Sequence, residues 1–370
     1  MINPRLTLLD VQRTKDHGSS RFQKVRMDRN ERTHPFSLEI IEKIRQQIDS
    51  DLLTTYPEPD QLYEKLAFFL SQPRDRIIFH TGSDLCIKSI FETYISPGDK
   101  ILLHRPGYAM FSLYAKIFGA QVTYQFFDEK LHFNYEEYIA KIDNSYKMAV
   151  LENPNGFVGV APSKKFLIEF VKKCEDENVL AVIDEAYFFF HEITAADLID
   201  IFKNLIIVRS FSKAFGLAGI RGGYLLSQKE NIDNLYKVKP MHELTGFSIL
   251  VINELLKNPE ELFSFLEETK KDLTFLKKGF ESLGIETSPS VCNFVAARVG
   301  KYIPVIEIKS ILNKEDILIR RPFEESHLQE WVRLGTAPIP FEKKVLDVIK
   351  ECLIKKSAMN LGLVDDNETF

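Results

Sequence analysis

Val208-Arg209-Ser210-Phe211-Ser212-Lys213-Ala214-Phe215-Gly216-Leu217-Ala218-Gly219-Ile220-Arg221-Gly222-Gly223-Tyr224-Leu225-Leu226 is the stretch on which the reading of this chain turns. One apolar run, Leu205 to Val208, enters it and another, Tyr224 to Leu226, leaves it, so both ends read as buried strands. Between them stand a lysine, hydroxyls at Ser210 and Ser212, a guanidinium at Arg221, and glycines at 216, 219, 222 and 223 that let backbone come close to a ligand. Hydroxyls, a guanidinium and tight backbone suit a phosphate. A lysine kept partly neutral by desolvation and by its neighbours is a nucleophile toward a carbonyl.

The whole chain has room for such a site. With 370 residues, 45% apolar and 27% charged, it can bury a large core, and its length suggests one large domain with a smaller one beside it. A net charge of -5 leaves no basic footprint, so neither nucleic acid nor a membrane surface is an expected partner. Cys86, Cys174, Cys292 and Cys352 lie far apart, which gives neither a disulfide framework nor metal-ligand spacing. No signal peptide and no run of about 18 apolar residues is found, so a cytoplasmic protein is expected.

Apolar runs centred on Ile77, Ile101, Val122, Met148, Val179, Leu205 and Tyr224 alternate mostly with helical patterns. That is the signature of an α/β fold, a three-layer α/β/α domain around a mainly parallel seven-stranded sheet, whose ligands collect at the carboxyl ends of the strands. Polar strings sit at those ends. Thr81-Gly82-Ser83-Asp84 joins a strand to a helix, where unpaired N–H groups can meet an anion. Arg105-Pro106-Gly107-Tyr108 offers an aromatic ring; Glu152-Asn153-Pro154-Asn155-Gly156 and Asp184-Glu185-Ala186-Tyr187 each follow an apolar strand. A carboxylate such as Asp184 in that position is costly unless it meets a positive partner.

Flanking segments read differently. Residues 1–35 look like an extended arm, ending in Asn30-Glu31-Arg32-Thr33 and joining the smaller domain. A serine-capped helix from Ser37 has an apolar stripe at Leu38, Ile41, Ile44 and Ile48, and Tyr56-Pro57-Glu58-Pro59 presents Tyr56 on a stiff backbone. The large domain is expected over 36–245. A small α+β domain over 246–370 opens with a long helix, Leu250 to Leu283, and carries short strands at Phe294–Val299, Ile317–Ile319 and Trp331–Leu334. There Arg333 lies in an apolar strand, where a substrate carboxylate would pair with it, and Arg320-Arg321 stand 13 and 12 residues earlier.

The string S-x-S-K-x-x-x-L-x-G-x-R-x-G, with D-E-A-Y starting 29 residues before its lysine, resembles the lysine segment of fold type I pyridoxal-phosphate enzymes, the aspartate aminotransferase superfamily. Within that superfamily it looks most like the histidinol-phosphate aminotransferase branch, and the resemblance runs over nearly the whole chain. It implies that pyridoxal 5'-phosphate is the cofactor and Lys213 its Schiff-base lysine, with Asp184 and Tyr187 also in the catalytic set. Ser210, Ser212 and Arg221, with Gly82, Ser83 and Asp84, would hold the cofactor phosphate. Tyr108 would cover a ring face, Asp184 would keep the ring nitrogen protonated, and Asn153 and Tyr187 would donate to the 3-oxygen. Tyr56 would reach the neighbouring subunit's phosphate, making the enzyme a homodimer.

For substrate, the resemblance implies Arg333 for a carboxylate, Arg320 for a distal phosphate, and Asn30 and Glu31 at the entrance. Arg32 and Thr33 depart from the branch's N-x-N-E-N-P, and Glu152 and Asn155 from its N-N-P-T-G. The expected activity is amino transfer between glutamate or 2-oxoglutarate and a small, phosphorylated amine or ketone. Decarboxylation of a phosphoamino acid uses the same motif set, and a catalytically inactive binding protein is a third reading. The physiological substrate stays open, as does the choice between Arg320 and Arg321.

Overall fold

Strands form where apolar runs stand between glycine, proline and polar turns. The computed structural model describes residues 2–9, 11–12 and 20–360. Its strands are β1 (Val25–Met27), β2 (Ile77–His80), β3 (Lys100–Arg105), β4 (Gln121–Phe126), β5 (Tyr146–Glu152), β6 (Leu180–Asp184), β7 (Leu205–Ser210), β8 (Gly223–Ser227), β9 (Phe294–Ala297), β10 (Ile317–Ile319) and β11 (Val332–Gly335). β2 to β8 make one seven-stranded sheet in the order β2-β8-β7-β6-β5-β3-β4. β8 runs antiparallel to both its neighbours, and every other pairing is parallel.

The central strands have apolar middles, Met148–Leu151, Leu180–Ile183 and Leu205–Val208, because both of their faces are covered there. Alternate residues of β6 and β7 feed two different cores: Ala181, Ile183, Leu205 and Ile207 pack with Leu62, Phe170 and Phe211, whereas Val182, Ile206 and Val208 pack with Ile87, Phe91 and Phe111. Helix Lys164–Asp176, whose first turn is capped by Ser163 accepting from the Phe166 N–H at 3.2 Å, supplies Phe170 to the first core. Truncating a wholly buried phenylalanine of this kind costs about 3–5 kcal/mol.

Beyond the sheet, β9 pairs antiparallel with β11 and β1 pairs parallel with β10, so the chain's beginning is tied to its last third. Met27, Phe280, Val295, Leu312, Val332 and Ile349 share a separate core there, under helices Glu260–Ser282 and Ile339–Asn360.

Two helical readings are corrected. Instead of one helix from Leu250 to Leu283 there are two, Gly246–Lys257 and Glu260–Ser282, split at Asn258-Pro259 because proline lacks the N–H and opens a new helix instead. Gly246–Lys257 packs through Ile249, Ile252 and Leu255 into the first core. In helix Leu38–Arg45 the buried residue is Ile40 at 2% exposure, while Leu38 is 88% exposed. Adjacent isoleucines at 40 and 41 allow two stripes one residue apart, and packing against helix Gly246–Lys257 selects Ile40.

Candidate active site

The carboxyl ends of β5, β6 and β7, the loop after β7 and the arm enclose a cavity of about 460 Å³. Glu31, Ser83, Asp84, Tyr108, Asp184, Tyr187, Ser210, Ser212, Lys213, Arg221, Arg320 and Arg333 all line it, drawn together from across the chain. Gly82 and Asn153 stand directly behind this lining, and Asn30 joins through Tyr187, whose hydroxyl accepts from Asn30 Nδ2 at 2.7 Å. Tyr56 is elsewhere on this chain: it is 77% exposed and stacked on His242, with ring centroids 4.5 Å apart.

At one end of the cavity the helix Ser83–Tyr94 points its N-terminus at Arg221. Gly82 has φ +83°, and a Cβ there would lie 2.7 Å from Arg221 Nη2, so only glycine admits the guanidinium. Arg221 sits 3.5 Å from Asp84, and Asp84 accepts from the Tyr108 hydroxyl. Ser210 Oγ accepts from the Ser212 N–H at 3.1 Å, folding the two hydroxyls of the turn together. Unpaired N–H groups, hydroxyls and a guanidinium converge on one spot, which is the donor set of an anion site.

Lys213 enters from the middle. Its amine donates to the carbonyl of Arg29 at 2.9 Å and lies 5.5 Å from the centre of the Tyr187 ring. Burial, with Arg333 nearby, pulls its pKa down to about 8, so an appreciable fraction is neutral near neutral pH.

Two carboxyls face it. Asp184 is 4% exposed, accepts from the Ala186 N–H at 2.9 Å, and has no cationic partner among the described residues. Burial and then the charge of Glu152, its register partner across β5 and β6, push it up to about 8. Glu152 accepts from the N–H groups of Tyr108 (2.5 Å) and Gly156 (2.7 Å), and burial raises it to about 7. Asn153 Nδ2 donates to the carbonyl of Ile193 at 2.9 Å, and its buried Oδ1 has no partner among the described residues.

At the far end Arg333 is 5% exposed and donates to two backbone carbonyls, Gly156 at 2.6 Å and Asp28 at 3.2 Å, while its Nε has no partner among the described residues. Burial lowers it to about 10, a sign of an unneutralised charge. Arg320 has no side-chain hydrogen bond among the described residues and lies over the Phe157 ring at 5.8 Å. Arg321 is 63% exposed at its side chain and bonds Glu324, so of the two neighbours it is Arg320 that faces the cavity. Glu31 also borders the cavity, but its carboxylate is held by Arg21 and Arg26, both at 2.9 Å.

This arrangement has known counterparts. The family model for aminotransferase class I and II matches residues 23–343. The chain belongs to the class I and II aminotransferase family. It is 30% identical over 336 residues to the histidinol-phosphate aminotransferase of Caldanaerobacter subterraneus subsp. tengcongensis, covering 89% of this chain and 93% of that one. With the histidinol-phosphate aminotransferase of Leptospira interrogans it shares 31% identity over 309 residues, 80% of this chain and 81% of the relative. Two solved structures share its fold: histidinol-phosphate aminotransferase from Clostridium acetobutylicum (TM-score 0.81, 24% identity, 90% and 99% covered) and that from Sinorhizobium meliloti in complex with pyridoxal-5'-phosphate (TM-score 0.82, 20% identity, 90% and 91% covered). As an aminotransferase of this family the chain is a pyridoxal-phosphate-dependent enzyme, and the reading as an inactive binding protein is set aside.

Several residues of the aminotransferase cavity went unread in the sequence. Arg29 contributes a carbonyl, and Phe157 lies under Arg333 at 4.9 Å and under Arg320. The arm's departures have structural occupations. Arg32 spans Glu261 (3.4 Å), the rings of Phe36 and Phe265, and the carbonyls of His34 and Pro35, and so fastens the arm. Gly216, at φ +72°, makes room for it, since a Cβ there would fall 2.4 Å from Arg32 Cδ.

Proposed function

We propose that this enzyme exchanges an amino group between glutamate or 2-oxoglutarate and a small phosphorylated amine or ketone, and that it does so in the cytoplasm as a homodimer. The observation that carries the substrate reading is the pair Arg333 and Arg320. Both guanidiniums face the Lys213 cavity, and neither has a carboxylate partner among the described residues. Two anionic groups on one substrate would satisfy them. The relatives' activity on histidinol phosphate supports a phosphate as one of the two, and favours amino transfer over decarboxylation.

The unsatisfied groups fit pyridoxal 5'-phosphate. Asp184, buried with no cation beside it among the described residues, suits a protonated ring nitrogen; the Tyr187 hydroxyl suits the 3-oxygen, and Asn153 does so with its amide turned to present Nδ2 in place of the unpaired Oδ1; Tyr108 suits a ring face. The Ser83 N–H at the start of its helix, with Ser210, Ser212 and Arg221, suits the phosphate, while the Gly82 N–H is held by the carbonyl of His80 at 2.8 Å. Bound there, the cofactor supplies an electron sink for the substrate's α-carbon. Lys213, partly neutral, would take the proton from that carbon of the amine in one half-reaction and deliver one to the corresponding carbon of the ketone in the other. Arg333 orients the substrate's carboxylate or its substitute, and Arg320 holds the far phosphate. Glu152 ties the Tyr108 N–H to the Gly156 N–H and so keeps two walls of the cavity in register.

Exposure of Tyr56 on its stiff loop, with Leu38, Leu53 and Met241 also exposed, supports a second subunit on that side. We also infer two units within the chain. The sheet unit extends past 245 to include helix Gly246–Lys257, which packs in its core, and the arm belongs with the C-terminal unit through β1.

The test is a single turnover. Glutamate added to the holoenzyme should yield one equivalent of 2-oxoglutarate, and phosphorylated ketones should then return the protein to its starting spectrum. Carbon dioxide release from phosphoamino acids, with no amino transfer, would refute the proposal.

A further inference from the structure

Past Phe157 the active-site cavity opens into a recess of about 60 Å³, room for a few waters or one small anionic group. Phe157, Arg320 and Arg333 line both spaces. The recess has a further cation, Arg105, which ends β3 immediately before Pro106-Gly107-Tyr108. No motif of the family reading uses it.

Arg105 is held by a ring. Its guanidinium lies 4.7 Å from the centre of Tyr124, and the Tyr124 hydroxyl donates to Ser112 Oγ at 3.1 Å, which fixes that ring in turn. The nearest carboxylate, Glu325, is 3.9 Å away, too far for a hydrogen bond. Arg321, on the same recess, is already bonded to Glu324. Arg320 has no side-chain hydrogen bond among the described residues. Two guanidiniums, Arg105 at the end of β3 and Arg320 just past the end of β10, therefore face one small space with donors to spare.

We propose that Arg105 and Arg320 together form a subsite for a tetrahedral dianion, a phosphate or phosphonate, at the far end of the substrate. The inference rests on the reading that Arg320 holds a distal phosphate, and what it adds is Arg105 as the second, specificity-determining arm of that subsite. Three terminal oxygens carrying two charges can meet both guanidinium forks at once, whereas a carboxylate brings two oxygens and a single charge to the same pair. Glu325, 8% exposed at its side chain, competes for Arg105 and is displaced when the dianion enters.

Calorimetric titration of the holoenzyme with 3-phosphonopropionate and with succinate separates the two ends of the ligand, because the pair differs only in the distal group and neither can be transaminated. Wild type should prefer the phosphonate. Arg105→Gln should weaken phosphonate binding about tenfold or more, the worth of one charge-assisted hydrogen bond, and leave succinate little changed. Arg105→Lys should recover part of the loss. Glu325→Gln should tighten the phosphonate, a gain that a merely structural role for Arg105 does not predict. Equal binding of both ligands by wild type, binding of neither, or equal losses in Arg105→Gln would overturn the subsite. Glutamate turnover by such a protein would still uphold the aminotransferase; phosphonate preference without glutamate turnover would do the reverse.

Discussion

Asp184 predicts a pH-dependent stability that the cofactor should reverse. In the cofactor-free protein its carboxyl is buried at the end of β6 with one backbone N–H for a partner, and burial, followed by the Glu152 charge, lifts it from the ordinary 3.8 to about 8. The folded state therefore holds this proton more tightly than the unfolded chain does. Stability from this group is complete below pH 4 and drains away as pH rises toward 8. The interval, 8 minus 3.8, is about 4 pH units, which at ~1.4 kcal/mol each sets an upper bound of ~6 kcal/mol. Between pH 5 and 8.5 the share lost is ~4 kcal/mol by the same relation. Asp184→Asn keeps the shape and cannot ionise. Urea unfolding of both cofactor-free proteins at the two pH values should show wild type losing several kcal/mol more than the variant. The holoenzyme should recover most of that loss, because a cationic ring nitrogen beside Asp184 stabilises the carboxylate. Parallel pH dependence in the two cofactor-free proteins would refute the electrostatic account of Asp184.

Borohydride should attach the cofactor covalently to Lys213, and Lys213→Ala should bind cofactor without that attachment and without turnover; ordinary activity in the variant would end the proposed chemistry. Arg320→Ala should cut kcat/KM for a phosphorylated substrate by about 10- to 150-fold, from ~1.5–3 kcal/mol for a charge-assisted hydrogen bond, while the glutamate half-reaction changes much less. Equal losses would make Arg320 a general carboxylate or structural residue. Tyr56→Ala should loosen cofactor binding, measured by dialysis against absorbance, if the tyrosine completes a neighbour's site; full activity in a protein that sediments as a monomer would rule that out.

What the chain disclosed by itself follows from the range of the interactions. β6 and β7 are apolar over Leu180–Ile183 and Leu205–Val208 because both faces are covered, and the polar residues that follow, Asp184 and Arg209-Ser210, mark strand ends, so the sheet and the cofactor side of the cavity could be read locally. β1 could not: Val25-Arg26-Met27 has no pattern of its own and is a strand because Ile317–Ile319 pairs with it. Pro259 is a helix break legible in the sequence, although apolar residues at Leu255, Leu256, Leu262, Phe265 and Leu266 stand on either side of it. Arg32 stood out as a departure, yet its partners lie on the helix Glu260–Ser282 and against Gly216, far along the chain. Glu152 and Asn155 make the point most sharply. Each departs from the family's spelling, and each bonds loop backbone: Glu152 takes the N–H groups of Tyr108 and Gly156, and Asn155 takes those of Phe157 and Val158 while donating to the carbonyl of Pro106. Their effect is to fix the wall that carries Phe157 against the wall that carries Tyr108, and it is on these walls that Arg105 and Arg320 meet. Both departures from the motif therefore hold loop backbone, and the spelling of the motif flags the position while only the fold says which backbone it holds.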